Sequence, residues 1–248
     1  MRKSILALTV IAAATAVPAQ AEYLYGWGDV SVNYLDWSKG TEERNGGNKN
    51  DFMFLELEGG AGFTWGELYG FADFEMQDNA DSSGQAMAMS TKGSIAVKTG
   101  LEELRVYAQT YSTENQGFHA RNTVGGLSYN FSGDAWSFSP FIGVHYTNTV
   151  GFADFNGGMA GWNAAYNFNL GDHKFTLSNW HETEFGRADE YIGDGSGETD
   201  DLSYNGSLAA WWHVTSEVTT GVQYRYAHNK LGQAKTDNAI IYTVKYNF

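Results

Sequence analysis

Several short stretches set aromatic rings and charged groups at alternate positions: Phe54, Glu56 and Glu58, then Tyr69, Phe71 and Asp73, then Arg105, Tyr107, Gln109 and Tyr111. Trp180 stands two before Glu182, Trp211 two before His213, and Arg225 two after Gln223. A spacing of two puts such residues on one face of an extended strand. Planar rings stack on planar solutes, while carboxylates, guanidinium and amide groups hydrogen-bond to sugar hydroxyls and base edges. Gathered in one cleft, these residues would suit a small amphipathic aromatic solute such as a nucleoside.

Bond-making chemistry finds little support. There is no cysteine, so neither a thiolate nucleophile nor a zinc–thiolate site is available. No G-x-S-x-G elbow occurs, and the six histidines share no metal spacing. His181 with Glu182 and Glu184 comes nearest to an acid cluster, but it falls at the top of a strand, where solvated charge is ordinary. The chain is therefore expected to be no enzyme and to need no cofactor or metal.

The elements that must position these residues are strands. Ile240, Tyr242, Val244, Tyr246 and Phe248 alternate with Thr243, Lys245 and Asn247, giving a last strand with one apolar and one wet face. That pattern suits the closing strand of an outer-membrane barrel. Twelve such segments follow from the periodicity, roughly 27–37, 50–59, 63–74, 87–98, 104–112, 120–131, 135–147, 159–169, 173–184, 202–213, 218–228 and 238–248. Each is close to the about 9 to 11 residues that a tilted strand needs to cross a bilayer.

The connections alternate in length. Long ones at 38–49, 76–86, 147–158, 185–201 and 229–236 follow odd strands, and short ones at 60–62, 99–103, 132–134, 170–172 and 214–217 follow even strands. Long outer loops, short periplasmic turns and an even strand number together predict one all-β domain, an antiparallel transmembrane barrel over residues 22–248 with both termini periplasmic. Arg2 and Lys3, the apolar run from Ile5 to Val17, and Ala19-Gln20-Ala21 read as a removable secretory signal at residues 1–21. With the signal removed, 29 acidic residues face 13 basic ones, which excludes a nucleic-acid binder.

Alternation also assigns the faces. Met53, Leu55 and Leu57 turn to lipid, as do Leu68 and Phe74, and Trp136, Ile142 and Val144 on the seventh strand. Pro140 interrupts that strand and is expected at a bulge. Trp27, Trp37, Trp162 and Trp212 near strand ends would form interfacial girdles. The candidate lumen set is then Phe54, Glu56, Glu58, Tyr69, Phe71, Asp73, Arg105, Tyr107, Trp180, Trp211 and Arg225.

Those same side chains have a plainer use. Large rings can fill or buttress a narrow barrel, and Glu56, Glu58 and Arg105 could form a salt-bridge lattice. A general small-solute porin or an occluded surface receptor therefore stays open beside a nucleoside channel. The loop from Gly186 to Asp201 carries Asp189, Glu190, Asp194, Glu198, Asp200 and Asp201. It could hold divalent cations that bridge to lipopolysaccharide phosphates, or be a solvated acidic loop.

The stretch Asp51-Phe52-Met53-Phe54-Leu55-Glu56-Leu57-Glu58, followed by Tyr69-Gly70-Phe71-Ala72-Asp73, resembles the second and third strands of the Tsx-type nucleoside-specific channel-forming outer-membrane proteins, in particular their OmpK branch. Gly28 to Tyr34 and Tyr224 to Asn229 are similar to the same family. The resemblance spans the mature chain and implies a monomeric twelve-stranded channel that passes nucleosides and deoxynucleosides down their gradient. It further implies an integral outer-membrane location among lipids and lipopolysaccharide, recognition of Phe248 by the barrel assembly machinery, and outer loops that phages or colicins can exploit.

Overall fold

The computed structural model describes residues 21–46, 49–76, 87–115, 117–193 and 197–248. The expected signal, 1–21, lies outside these but for Ala21. Strands follow one another as β1 (Tyr23–Trp37), β2 (Phe52–Phe63), β3 (Gly66–Met76), β4 (Met87–Lys98), β5 (Leu104–Asn115), β6 (Phe118–Tyr129), β7 (Phe131–Ser132), β8 (Trp136–Thr149), β9 (Ala153–Leu170), β10 (His173–Phe185), β11 (Ser203–His213), β12 (Val218–His228) and β13 (Thr236–Asn247). Two short helices, α1 (Lys39–Arg44) and α2 (Asp189–Ile192), sit in outer connections.

All pairings are antiparallel. β13 joins β1 from Asp29↔Asn247 to Trp37↔Ala239, and β6 joins β8 from Ala120↔Thr149 to Ser128↔Phe141. Twelve strands thus form a ring without an edge, and the two-residue β7 pairs with the foot of β8. Val32, Tyr34, Met53, Leu55, Leu57, Ile142, Val144, Leu208, Val222, Tyr242 and Val244 stand exposed on the outside. In water such a belt would be a liability, whereas in a bilayer it is the surface a spanning barrel requires.

At the periplasmic end Tyr166, Phe168, Phe175 and Trp212 make a chain of outward rings with centroids 6.1, 5.6 and 6.5 Å apart. The Phe248 backbone N–H donates to the Gly28 carbonyl at 3.0 Å, and its ring lies so close to Gly28 that a Cβ there would come within 2.8 Å. The expected girdle is therefore present around Trp212. Trp162 also faces out, but from the middle of β9, stacked on His181 at 4.4 Å. The other two tryptophans turn inward. Trp37 is buried with Leu35, Phe54, Ala239 and Ile241, and Trp27 shares the face of Asp29 and leans toward Tyr69 at 6.1 Å.

Three further expectations need correction. Gly60 to Gly62 is not a turn: β2 runs to Phe63, because the flat rings of Trp27 and Tyr25 lie across glycines that offer no Cβ. The expected long loop 147–158 is a tight turn, since Thr149 accepts and donates backbone hydrogen bonds around Phe152 and both flanking strands extend outward. Pro140 marks no bulge. It stands where the β6–β8 ladder ends at Ser128↔Phe141 and resumes on β7 at Phe131↔Phe138, so its missing donor falls at a break in the ladder. The register shift in β8 lies instead between Val144 and Tyr146.

The first outer connection is pinned to the barrel. Ser38 caps α1 by accepting from the Thr41 N–H at 3.3 Å, and Thr41 Oγ1 accepts from the Asn238 N–H at 3.0 Å. Asp237, fully buried, takes Lys49, Arg44 at 3.3 Å and the Asn45 amide. Asp237→Ala should release this segment. Limited proteolysis is then expected to cut between residues 38 and 50 while heat-modifiable mobility persists; resistance equal to wild type would show that the pin is redundant.

Candidate functional site

The inward residues divide into three groups along the barrel. Toward the periplasmic end, Asp29 of β1 and Glu56 and Glu58 of β2 crowd together. Strand register places them there: Asp29 is opposite Glu58, Ser31 opposite Glu56, and Glu56 opposite Asp73. Lys245 of β13 reaches Asp29 at 3.3 Å and Glu58 at 3.0 Å. A hydrogen-bonded row supports this group from behind. Thr243 Oγ1 donates to Asn33 Oδ1 at 2.6 Å, Asn33 Nδ2 to Ser31 Oγ at 2.8 Å, and Ser31 Oγ to Glu56 Oε1 at 3.4 Å.

Beside the carboxylates runs a row of four rings. Trp27, Tyr69, Phe71 and Tyr111 follow one another at 6.1, 6.4 and 6.5 Å between centroids. The Tyr69 hydroxyl donates to Glu58 Oε1 at 2.6 Å, which joins the two groups. Trp180 and Trp211 stand on the other wall with cations against their faces: Arg225 is 5.0 Å and Lys92 5.9 Å from the Trp180 ring, and Lys245 is 4.7 Å from Trp211. Trp211 lies flat over Gly221, where a Cβ would meet the ring at 2.3 Å, and donates to Ser178 at 2.9 Å.

A polar bar crosses the interior. Lys92 on β4 bonds Glu182 on β10 at 2.6 Å, although these strands are five places apart one way around the ring and seven the other. Gln109 Nε2 adds a second donor to the same Glu182 oxygen at 2.8 Å. Each charge is thus neutralised at the point where it narrows the passage.

The outer mouth is held by a third group. Glu184 receives Lys230, Ser203 at 3.0 Å and Arg187 at 3.8 Å, and Arg187 in turn pairs with Glu198 at 2.9 Å. Burial acts to lower the Lys230 pKa, but Glu184 and Glu198 outweigh it and raise the value, so this lysine stays charged at neutral pH. Burial, and then the charge of Glu198, push the Tyr191 phenol up, so it remains a neutral donor to Glu198. Glu198 is therefore no part of a solvated acidic rim: it is buried in the barrel mouth. Asp194 lies outside the described residues.

Of the eleven residues expected to face the lumen, the structure brings Glu56, Glu58, Tyr69, Phe71 and Asp73 together on β2 and β3, opposite Trp180, Trp211 and Arg225. Phe54 is packed in the apolar cluster with Trp37 and Ile241, and Tyr107 packs on Phe141 at 4.9 Å. Arg105 is held near the periplasmic rim by Glu67 at 2.8 Å and Glu103 at 3.1 Å, so it forms no lattice with Glu56 and Glu58. His181 points outward, away from Glu182, and bonds Tyr226 at 2.9 Å, which dissolves the apparent acid cluster. Asp29, Lys92, Lys245 and Trp27 were not read as candidates. Alternation against the outward Val244 and Tyr246 could have found Lys245, and pairing in register with inward Glu58 and Phe71 places Asp29 and Lys92.

A closed twelve-stranded antiparallel ring, apolar outside and charged within, defines a channel-type barrel of the bacterial outer membrane. Its fold is similar to that of the NanC porin, at 11% identity over 88% of this chain and 98% of that one with a TM-score of 0.54. Weaker likeness extends to the outer membrane channel DcaP of Acinetobacter baumannii, at 11% identity over 93% and 98% of the two chains with a TM-score of 0.42. Residues 32–248 match the family described as nucleoside-specific channel-forming protein, Tsx, and the chain belongs to that family. It is a channel protein and not an enzyme.

Proposed function

We propose that the barrel passes nucleosides by facilitated diffusion, with no energy source beyond their gradient. The row Trp27, Tyr69, Phe71 and Tyr111 carries this reading. These rings, with centroids 6.1 to 6.5 Å apart, line one wall with aromatic surface on which a base can stack, and Glu56, Glu58 and Asp73 beside them offer acceptors to ribose hydroxyls and base amino groups. The Lys92–Glu182 bar keeps the passage narrow enough for a solute to touch this wall. Membership of the family supports the same substrate class.

Planar-bilayer recording tests the proposal. Single-channel current should be reduced by added nucleoside in a saturable way and left unaltered by an uncharged sugar of similar size. Equal response to both solutes would favour a general porin, and the absence of current steps an occluded receptor.

Insertion gives a second expectation. Phe248 is 76% exposed at the foot of the closing strand, placed where assembly machinery and the lower interface can meet it. Deleting Phe248 should sharply reduce the amount of protein in the outer membrane while export to the periplasm continues. Unchanged outer-membrane levels would remove this role.

A further inference from the structure

We propose that Asp29, Glu56 and Glu58 form a binding site for a hard divalent cation, calcium in particular, inside the barrel. Each offers one carboxylate oxygen, and the three oxygens lie within 4.8 Å of one another. Calcium binds oxygen at about 2.3 to 2.6 Å, so oxygens this far apart can share one ion with water completing the shell. A second observation points to a ligand. Asp29 is 4% exposed, and while its Oδ2 meets Lys245, its Oδ1 is buried without a hydrogen-bond partner.

Charge supports the assignment. Among the described residues Lys245 is the cation in contact with Asp29 and Glu58, so a single ammonium faces three carboxyl groups. Buried carboxylates without compensation are costly, and a divalent ion supplies the missing charge. Lys245 also has somewhere to go. Its Nζ already lies 4.7 Å from the Trp211 ring, so the ammonium can rest on the indole face when the carboxylates turn to an ion. The site shares Glu56 and Glu58 with the wall proposed for nucleosides, but ion binding does not require that nucleosides pass the channel.

Terbium(III), a hard-oxygen ion that replaces calcium, reads this out directly. Tyr69 donates to Glu58 and Trp27 lies next to Tyr69, so ring excitation should pass to a bound terbium ion and give sensitised emission. Detergent-solubilised full-length protein, stripped with chelator, should show saturable emission that calcium displaces. Glu56→Gln and Asp29→Asn should each weaken binding by about tenfold or more, because affinity follows ligand charge. Lys245→Met should tighten it by removing the competing cation. Glu114→Gln, an exposed carboxylate paired with Arg121, serves as a control and should bind as wild type. Heat-modifiable mobility checks that each variant folds. No sensitised emission, emission that survives both carboxamide changes, or weaker binding in Lys245→Met would each overturn the site.

Discussion

Phe71→Ala should weaken nucleoside block of the channel by roughly 5- to 150-fold. The ring sits between Tyr69 and Tyr111 in the inward row, so its loss breaks the stacking path in the middle rather than at an end. Stacking of a base on one aromatic is worth about 1 to 3 kcal/mol, which converts to that range. Ion current without nucleoside should hold or rise, because a side chain has been removed from the passage. Leu55→Ala, on the lipid face of β2, should leave block unaltered. Tyr69→Ala should show a comparable loss, whereas Phe54→Ala should not, since that ring is packed among Leu35, Trp37 and Ile241. Block that is indifferent to both Phe71 and Tyr69 would end the stacking mechanism.

Lys92→Ala should raise single-channel conductance and shift the reversal potential toward cations. It removes the half of the cross-barrel bar that comes from β4 and leaves Glu182 with Gln109 as its remaining partner among the contacts described. A carboxylate freed in a narrow, low-dielectric passage attracts cations, and the shift should be larger at about 0.01 M salt than at 1 M, where the Debye length falls from about 30 to 3 Å. Lys92→Ala combined with Glu182→Ala should keep the higher conductance and lose most of the cation preference. Conductance and reversal potential equal to wild type in the single variant would show that the pair does not bound the passage.

Strand number and facing were legible because period two is a local signal that any run of eight to ten residues displays. The inward positions of Glu56, Glu58, Tyr69, Phe71 and Asp73 follow from it directly. Glycine misled the reading at Gly60 to Gly62, where the residues serve a ring lying across a strand and not a turn. Position misled it at Trp37: a tryptophan near a strand end normally marks the interfacial girdle, yet here it packs with Phe54 and Ile241 inside the outer half of the barrel. Partnership across the interior was not legible at all. Lys92 and Glu182 lie 90 residues apart, and nothing in local pattern reports which far wall a side chain will reach.

The ladder between β1 and β13 has a consequence for how the molecule is made. Asp29 meets Asn247, and the Phe248 N–H bonds the Gly28 carbonyl, so the ring cannot shut until the last residues exist. A growing chain gains each hairpin early, but every intermediate short of the full length presents β1 as an open edge, ready to pair with another strand. Closure must wait for a contact between the two ends of the sequence, the slowest kind to form by chain diffusion. The unclosed chain therefore needs shielding between synthesis and insertion, and its hazard is mispairing along β1 rather than failure of any single hairpin.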